Sequence, residues 1–211
     1  GIGAEVTEVT VGQQADFTQF DLFFIGGGQD FEQEVLLSDL KAGKGDEIKA
    51  AIADGKTFLT ICGGYQMLGS YYRTWDGKQC DFIGAIDYYT VGSKERMIGN
   101  FLFECLPESG GSTVVGFENH SGRTYLGKGV EPLGKMIKGC GNNGEDGTEG
   151  VRYKNTFGTY SHGPVLPKNP QLADLLISLA VKNKYGSCTL EPLDDDLEDK
   201  ARAQVMKLYI K

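Results

Sequence analysis

Phe58-Leu59-Thr60-Ile61-Cys62-Gly63-Gly64-Tyr65-Gln66 runs an apolar strand directly into a cysteine, two glycines and the start of an amphipathic helix. This order predicts a nucleophile elbow. On such a sharp strand-to-helix turn the side chain stands clear of the sheet, and the glycines remove Cβ atoms that would clash in the tight backbone. The helix is expected over about residues 64–73. Its positive N-terminal end, aimed at the Cys62 sulfur, favours the thiolate, and the Gly63 N–H is placed to help hold an oxyanion. The competing reading is a buried structural cysteine beside a turn, since free cysteine is among the most buried residue types.

Working outward, Asp21-Leu22-Phe23-Phe24-Ile25 is a short apolar run ended by Gly26-Gly27-Gly28, which reads as a buried parallel strand opening into a loop. Residues 30–53 carry Leu36, Leu37, Leu40, Ile48, Ala51 and Ile52 at helical spacing, with a break near residues 43–45 that splits the stretch into two helices. Asp54-Gly55 closes it. Beyond the elbow the pattern shortens to β-like runs at 83–86, 98–104 and 112–118, read as antiparallel strands beside the main sheet. Residues 139–150, rich in Gly and Asn, read as an irregular surface loop. The run at 156–160 reads as a strand that delivers Ser161-His162-Gly163-Pro164 at its end, followed by an amphipathic helix over 171–182 and a weaker helical pattern over 197–210.

Strands alternating with helices predict an α/β fold: a mostly parallel central sheet flanked by helices, with additional antiparallel strands. The whole of residues 1–211 reads as one domain. Such folds start with a strand and crossover helix, whereas only twenty residues precede Asp21 and the chain begins at Gly1. A strand over 6–11 and further residues upstream are therefore expected.

Composition narrows the function classes. A content of 40% hydrophobic and 24% charged residues is that of an ordinary soluble chain able to bury a core. No stretch reaches bilayer-spanning length and the start lacks a signal-peptide pattern, so the expected compartment is the cytoplasm. Five cysteines without a CxxC pair suggest reduced thiols, with neither a disulfide framework nor a metal site. A net charge of −8 argues against nucleic acid as a partner. The acidic run Asp194-Asp195-Asp196 with Glu198 and Asp199 reads as a solvated face.

Cys62 at an elbow and His162 at a strand end are the residue types of a nucleophile and its base. The thiolate attacks a carbonyl carbon, the imidazole manages the proton, and backbone N–H groups hold the oxyanion. His120, after Phe117-Glu118-Asn119 in what reads as a turn, is the rival base; His162 is favoured because Gly163-Pro164 ends its strand at the sheet rim. The Gly26-Gly27-Gly28-Gln29-Asp30 loop could cradle a phosphate, but neither G-x-G-x-x-G nor G-x-x-x-x-G-K-[ST] is present. An oxyanion hole suits it better.

Together, Gly26-Gly27-Gly28-Gln29-Asp30, Ile61-Cys62-Gly63-Gly64-Tyr65-Gln66 and Ser161-His162-Gly163-Pro164 resemble the triad-type (class I) glutamine amidotransferases, in their cobyric-acid-synthase-like branch. Within that branch, Gly116-Phe117-Glu118-Asn119-His120-Ser121-Gly122-Arg123-Thr124 and the stretch from Gly163 to Pro170 resemble the GatD-type subunits of lipid II isoglutaminyl synthase. The resemblance implies a glutaminase subunit of a heterodimer with a MurT-type Mur ligase that amidates the D-glutamate α-carboxyl of lipid II. L-Glutamine would be the substrate, and lipid II would be reached through the partner. No cofactor is implied on this chain; ATP and Mg belong to the ligase, consistent with the lack of a P-loop here. By the same resemblance Cys62 carries the glutamyl thioester, His162 is the base, Gly28 and Gly63 give oxyanion N–H groups, and Gln66 and Arg96 hold the glutamine. On sequence alone Arg96 reads equally as a solvated loop charge.

Two departures stand out. Thr60 replaces a glycine common in related elbows, and Pro164 occupies the position two after His162 where the wider class has its glutamate, so no third triad residue is assigned. The alternatives are a glutaminase for another product such as a corrinoid, a non-catalytic binding subunit, and a cysteine hydrolase acting alone.

Overall fold

The computed structural model describes residues 3–28 and 36–209. Its central sheet has four strands in the order β1-β2-β10-β9: β1 (Leu22–Ile25), β2 (Thr57–Ile61), β10 (Thr156–Thr159) and β9 (Val151–Tyr153). The first three run parallel, with Phe24 opposite Leu59 and Thr60 opposite Gly158, and β9 is antiparallel to β10. Every residue of β2 is buried, because the strand has a neighbour on each side and a packed layer on each face. Its side chains alternate between two cores. Phe58 joins Ile48, Ile52, Tyr65, Tyr88 and Tyr160, whereas Leu59 and Ile61 join Phe101, Phe103, Phe157, Leu172 and Leu176.

Flanking helices follow from their apolar spacing. α1 (Gly45–Ala53) buries Ile48, Ala51 and Ile52. It follows a π-helical turn at Leu40–Lys44, where Gly43 takes φ 132°; this is the break expected near residues 43–45. Residues 29–35, which include Gln29, Asp30 and the start of the expected helical stretch, lie outside the described residues. α3 (Pro170–Tyr185) starts with Pro at its first position, buries Leu172, Leu176 and Ala180 along one stripe and stops at Gly186, whose φ of 82° suits a left-handed cap. Each buried leucine contributes roughly 1.5–3 kcal/mol. α4 (Asp196–Tyr209) puts Asp196, Glu198 and Asp199 in its first turn, where the helix dipole favours them, and Arg202 bonds the Thr113 carbonyl. Among the described residues no helix is long and apolar enough to cross a membrane.

Beside this layer lies a six-stranded, mostly antiparallel sheet: β3 (Tyr71–Arg73), β4 (Gln79–Asp81), β5 (Tyr88–Cys105), β6 (Thr113–Leu126), β7 (Gly134–Lys138) and β8 (Thr148–Glu149). An isolated bridge, Phe117 to His162, joins β6 to the chain leaving β10 beside the elbow, and a second, Glu131 to Arg152, joins β9 to the segment before β7.

Several local expectations fail, each for a non-local reason. The elbow helix, α2, spans only Gly63–Gln66. Beyond it the N–H groups of Leu68 and Gly69 bond the Tyr65 and Gln66 carbonyls three residues back, and the Ser70 N–H bonds the Tyr88 carbonyl, so the chain turns into β3; glycine is needed at 69 because a Cβ there would sit 2.6 Å from the Tyr88 ring. Residues 83–86 are not a strand; Gly84, Ala85 and Ile86 donate to the carbonyls of Gly69 and Leu68. Residues 6–11 form no strand, and Val6 is 90% exposed. β1 is parallel as expected but, as an edge strand, leaves Phe24 65% exposed, while Phe23 stacks on Phe58 at 4.3 Å. Residues 139–147 are irregular as expected and exposed over 144–147, but Asn142 and Asn143 are buried because their amides replace strand partners, Asn142 bonding both N–H and C=O of Gly150 at 2.9 Å, and residues 148–149 form β8.

The same region buries Glu149. Its Oε1 accepts from Thr159 Oγ1 at 2.6 Å and Tyr160 N–H at 2.8 Å, fixing the end of β10, while Oε2 has no hydrogen-bond partner. Burial outweighs those bonds and raises the carboxyl to about 7 from 4.5. Between these values the folded chain binds more protons than the unfolded one, so stability is expected to fall as pH rises from 4.5 to about 7, by up to about 1.4 kcal/mol per unit, and then level off. Urea unfolding should show that slope flattened in Glu149→Gln; an unchanged slope assigns it to another group.

Candidate functional site

The site assembles at the C-terminal ends of β1, β2 and β10, where parallel sheets expose loop backbone. Cys62 follows β2 directly and takes φ 51°, ψ −109°, a left-handed conformation that a Cβ-bearing residue adopts only under constraint. The constraint is visible on both sides. Its N–H is held by the Thr159 carbonyl at 2.9 Å, and its carbonyl accepts the Gln66 N–H at 2.9 Å to open α2. Gly64 is required because a Cβ there would lie 2.5 Å from the Ile25 carbonyl oxygen and 2.6 Å from that of Gly26. The elbow is thus wedged against the end of β1. Being one turn long, α2 brings local N–H groups rather than a long macrodipole, and that of Gly63, its first residue, has no partner within the helix.

His162 leaves β10 opposite Cys62, its N–H bonded to the Phe117 carbonyl at 2.8 Å. A Cβ built on Gly27 would lie 3.4 Å from Cys62 Cβ and 3.6 Å from His162 Cε1. The thiol-bearing carbon and the imidazole therefore flank one point, and glycine leaves that point open. Among the described residues, His162 Nε2 is buried without a hydrogen-bond partner. Burial chiefly, then His120 and Arg96, lower the proton affinity of the ring below the ordinary histidine value. Gly28, next in the same loop, is exposed and ends the described part of it.

Arg96 lies on β5, not in a loop. Its Nε and Nη2 donate to Asn119 Oδ1 at 3.2 and 2.8 Å, and Nη2 also to the Asn119 carbonyl at 3.2 Å. Gln66 sits beneath Cys62, 4% exposed, with Nε2 donating to the Tyr160 hydroxyl at 3.0 Å. That hydroxyl also bonds Thr124 Oγ1 at 2.7 Å. The structure thus brings Cys62, Gly27 and His162 together with Arg96 near enough to act on the imidazole, while the buried Gln66 side chain bonds Tyr160.

His120, the rival base, lies within β6 and not in a turn. Its ring stacks on Tyr160 at 3.6 Å, Nδ1 donates to the Gly122 carbonyl at 2.8 Å, and Nε2 lies 3.7 Å from Glu118 Oε2. Only 2% exposed, it is packed behind the site instead of lining its rim. Thr60 fits the elbow strand by turning its hydroxyl to the Phe157 carbonyl, 3.4 Å away. Sequence reasoning gave no role to Asn119, Tyr160 or Glu149; Asn119 lies within a quoted motif and Tyr160 adjoins one, but only strand pairing reveals their contacts. Among the described residues no cluster of three or more His, Cys, Asp or Glu is arranged to hold a metal ion.

Comparison with known proteins identifies the family. The CobB/CobQ-like glutamine amidotransferase domain matches residues 3–170. The chain is 42% identical over 199 residues to the Streptococcus pneumoniae GatD subunit of lipid II isoglutaminyl synthase (glutamine-hydrolyzing), covering 93% of this chain and 75% of that protein. The Staphylococcus aureus GatD subunit is 42% identical over 201 residues, covering 95% and 80%. Cobyric acid synthase of Clostridium botulinum is 31% identical over 154 residues, covering 70% of this chain but 31% of that protein. Among solved structures, a glutamine amidotransferase superimposes with TM-score 0.57 at 18% identity, over 76% of this chain and 79% of the other. One from Thermotoga maritima gives 0.52 at 16% identity, over 93% and 76%. Both support the fold.

Proposed function

The chain belongs to the CobB/CobQ-like glutamine amidotransferases, and from that premise we propose that it hydrolyses L-glutamine through Cys62 and His162 and passes the ammonia to a MurT-type ligase that amidates the D-glutamate α-carboxyl of lipid II. The observation that carries this reading is the convergence of a left-handed Cys62 and the orphaned His162 imidazole on the open point at Gly27.

The Cys62 thiolate attacks the γ-amide carbon of glutamine, and the developing oxyanion is held by the N–H groups of Gly63 and Gly28. His162, which took the Cys62 thiol proton to form the thiolate, delivers that proton to the departing nitrogen, the C–N bond breaks, and ammonia leaves behind a γ-glutamyl thioester on Cys62. Water then attacks the thioester while His162 takes its proton, and glutamate departs from the regenerated thiol. The Arg96 guanidinium pairs with the substrate α-carboxylate, and Gln66 supports the substrate from the elbow side. ATP and Mg are used on the ligase, so the working unit is a cytoplasmic heterodimer.

The neutral imidazole is the form that accepts a proton, so its lowered proton affinity places the acid limb of kcat/KM below about 6.5. Removing the Arg96 charge takes away one of the three influences lowering it. In Arg96→Gln the limb is expected to move up toward 6.5, measured as glutamate release against pH; a downward move contradicts the arrangement.

To test the function, glutamate release by the purified chain is measured alone and with a MurT-type ligase, lipid II and ATP. A rise in turnover on adding the ligase, with amidated lipid II as product, is expected. Turnover that rises only with a corrinoid-amidating synthetase, or with no partner, contradicts it.

A further inference from the structure

β5 and β6 pair regularly except at one place. Gly92 faces Gly122 and Met97 faces His120, so four residues of β5, from Ser93 to Arg96, stand opposite the single residue Ser121. A bulge of this kind turns side chains out of the ladder and is a common way to aim a functional group. Arg96 is the last residue of the bulge. A long flexible side chain at such a position is poorly fixed on its own, yet this one is gripped by Asn119 through three hydrogen bonds of 2.8–3.2 Å.

The grip also selects an edge. The Nε proton and both Nη2 bonds go to Asn119, which leaves Nη1 as the guanidinium nitrogen that Asn119 does not engage. Two residues earlier on the same strand, the Phe117 carbonyl holds the His162 N–H at 2.8 Å. One short piece of β6 therefore holds both the Arg96 guanidinium and the backbone of His162.

We propose that Asn119 is a positioning residue for glutamine recognition: it holds Arg96 so that Nη1 meets the substrate α-carboxylate at a set distance from His162. This rests on the reading of the site as a glutaminase in which Arg96 binds that carboxylate. Asn119 itself touches no reacting atom. Its loss lets the guanidinium roam, which weakens binding of the ground state and the transition state alike and appears in KM rather than kcat. Asn119 is exposed, so its replacement leaves no buried group unpartnered.

The test compares wild type, Asn119→Ala and Arg96→Ala on L-glutamine and on 4-aminobutanamide, which keeps the amine and the amide but lacks the α-carboxylate, with thermal unfolding run alongside. For Asn119→Ala the KM for glutamine is expected to rise about tenfold with kcat within about twofold, matching the loss of one hydrogen bond to a charged group. Its kcat/KM on 4-aminobutanamide should equal that of wild type. An unchanged KM for glutamine, or equal losses on both substrates, overturns the proposal. If Arg96→Ala also leaves the glutamine KM unchanged, the assignment of Arg96 fails and this inference falls with it. A raised KM in Arg96→Ala beside an unaltered Asn119→Ala sinks the inference alone.

Discussion

Replacing Cys62 by alanine is expected to lower glutamine-dependent glutamate release by at least about 10³-fold, because no neighbouring group can form the acyl intermediate in its place. The other four cysteines are unsuited to the task by position. Cys105 is buried with its thiol pushed up to about 12, and Cys140 has its thiol raised by burial and by Glu118. None of the four lies on the elbow. In the proposed complex with a MurT-type ligase, free ammonia should still support amidation by the variant, since that proposal assigns the ligase chemistry to the other chain. Loss of ammonia-driven amidation together with glutamine-driven amidation would mean that the substitution had damaged assembly instead. Retention of glutamine hydrolysis would remove Cys62 from the mechanism.

The second large effect is expected on stability. Gly64→Ala would push a methyl group to within 2.5 and 2.6 Å of two backbone carbonyl oxygens, those of Ile25 and Gly26, and 2.8 Å from the Ile25 side chain. Backbone cannot swing aside like the tip of a flexible side chain. Either the end of β1 separates from the elbow or α2 tilts, and a cost of about 3 kcal/mol or more follows from overpacking at a rigid contact. Gly99→Ala is the control, because its Cβ would meet nothing within 4 Å. Urea midpoints should place Gly64→Ala far below wild type and Gly99→Ala within about 0.5 kcal/mol of it. Equal effects of the two substitutions would contradict the wedge.

The features legible in the sequence were those written by local signals. An apolar run stopping at Cys62-Gly63-Gly64 has one good backbone solution, and the left-handed Cys62 adopts it. Likewise the strand over 156–159 carries His162 to the sheet rim, as Gly163-Pro164 suggested. Signals made by distant strands stayed hidden. The chain leaves α2 where the Ser70 N–H pairs with the Tyr88 carbonyl, and glycine is needed at 69 because the Tyr88 ring, nineteen positions on, packs where a Cβ would sit. His120 looked like a turn residue because Asn and Gly surround it, yet β5 supplies thirteen paired positions that hold β6 extended through it. The stretch over 139–150 misled for a related reason. Its asparagines are polar but buried, since their amides serve the backbone of Gly150 and Thr124. Arg96 could be named from the resemblance, but the Asn119 grip that fixes it depends on a bulge that no local pattern announces.

The most direct test is covalent labelling with an electrophilic glutamine analogue, a diazoketone that replaces the γ-amide, followed by mass-spectrometric mapping of the label among the five cysteines. A single adduct on Cys62, formed much more slowly in His162→Ala, is the predicted result. Label on another cysteine, or no label on a chain that still hydrolyses glutamine, would contradict a thiol and an imidazole working together at the open point of Gly27.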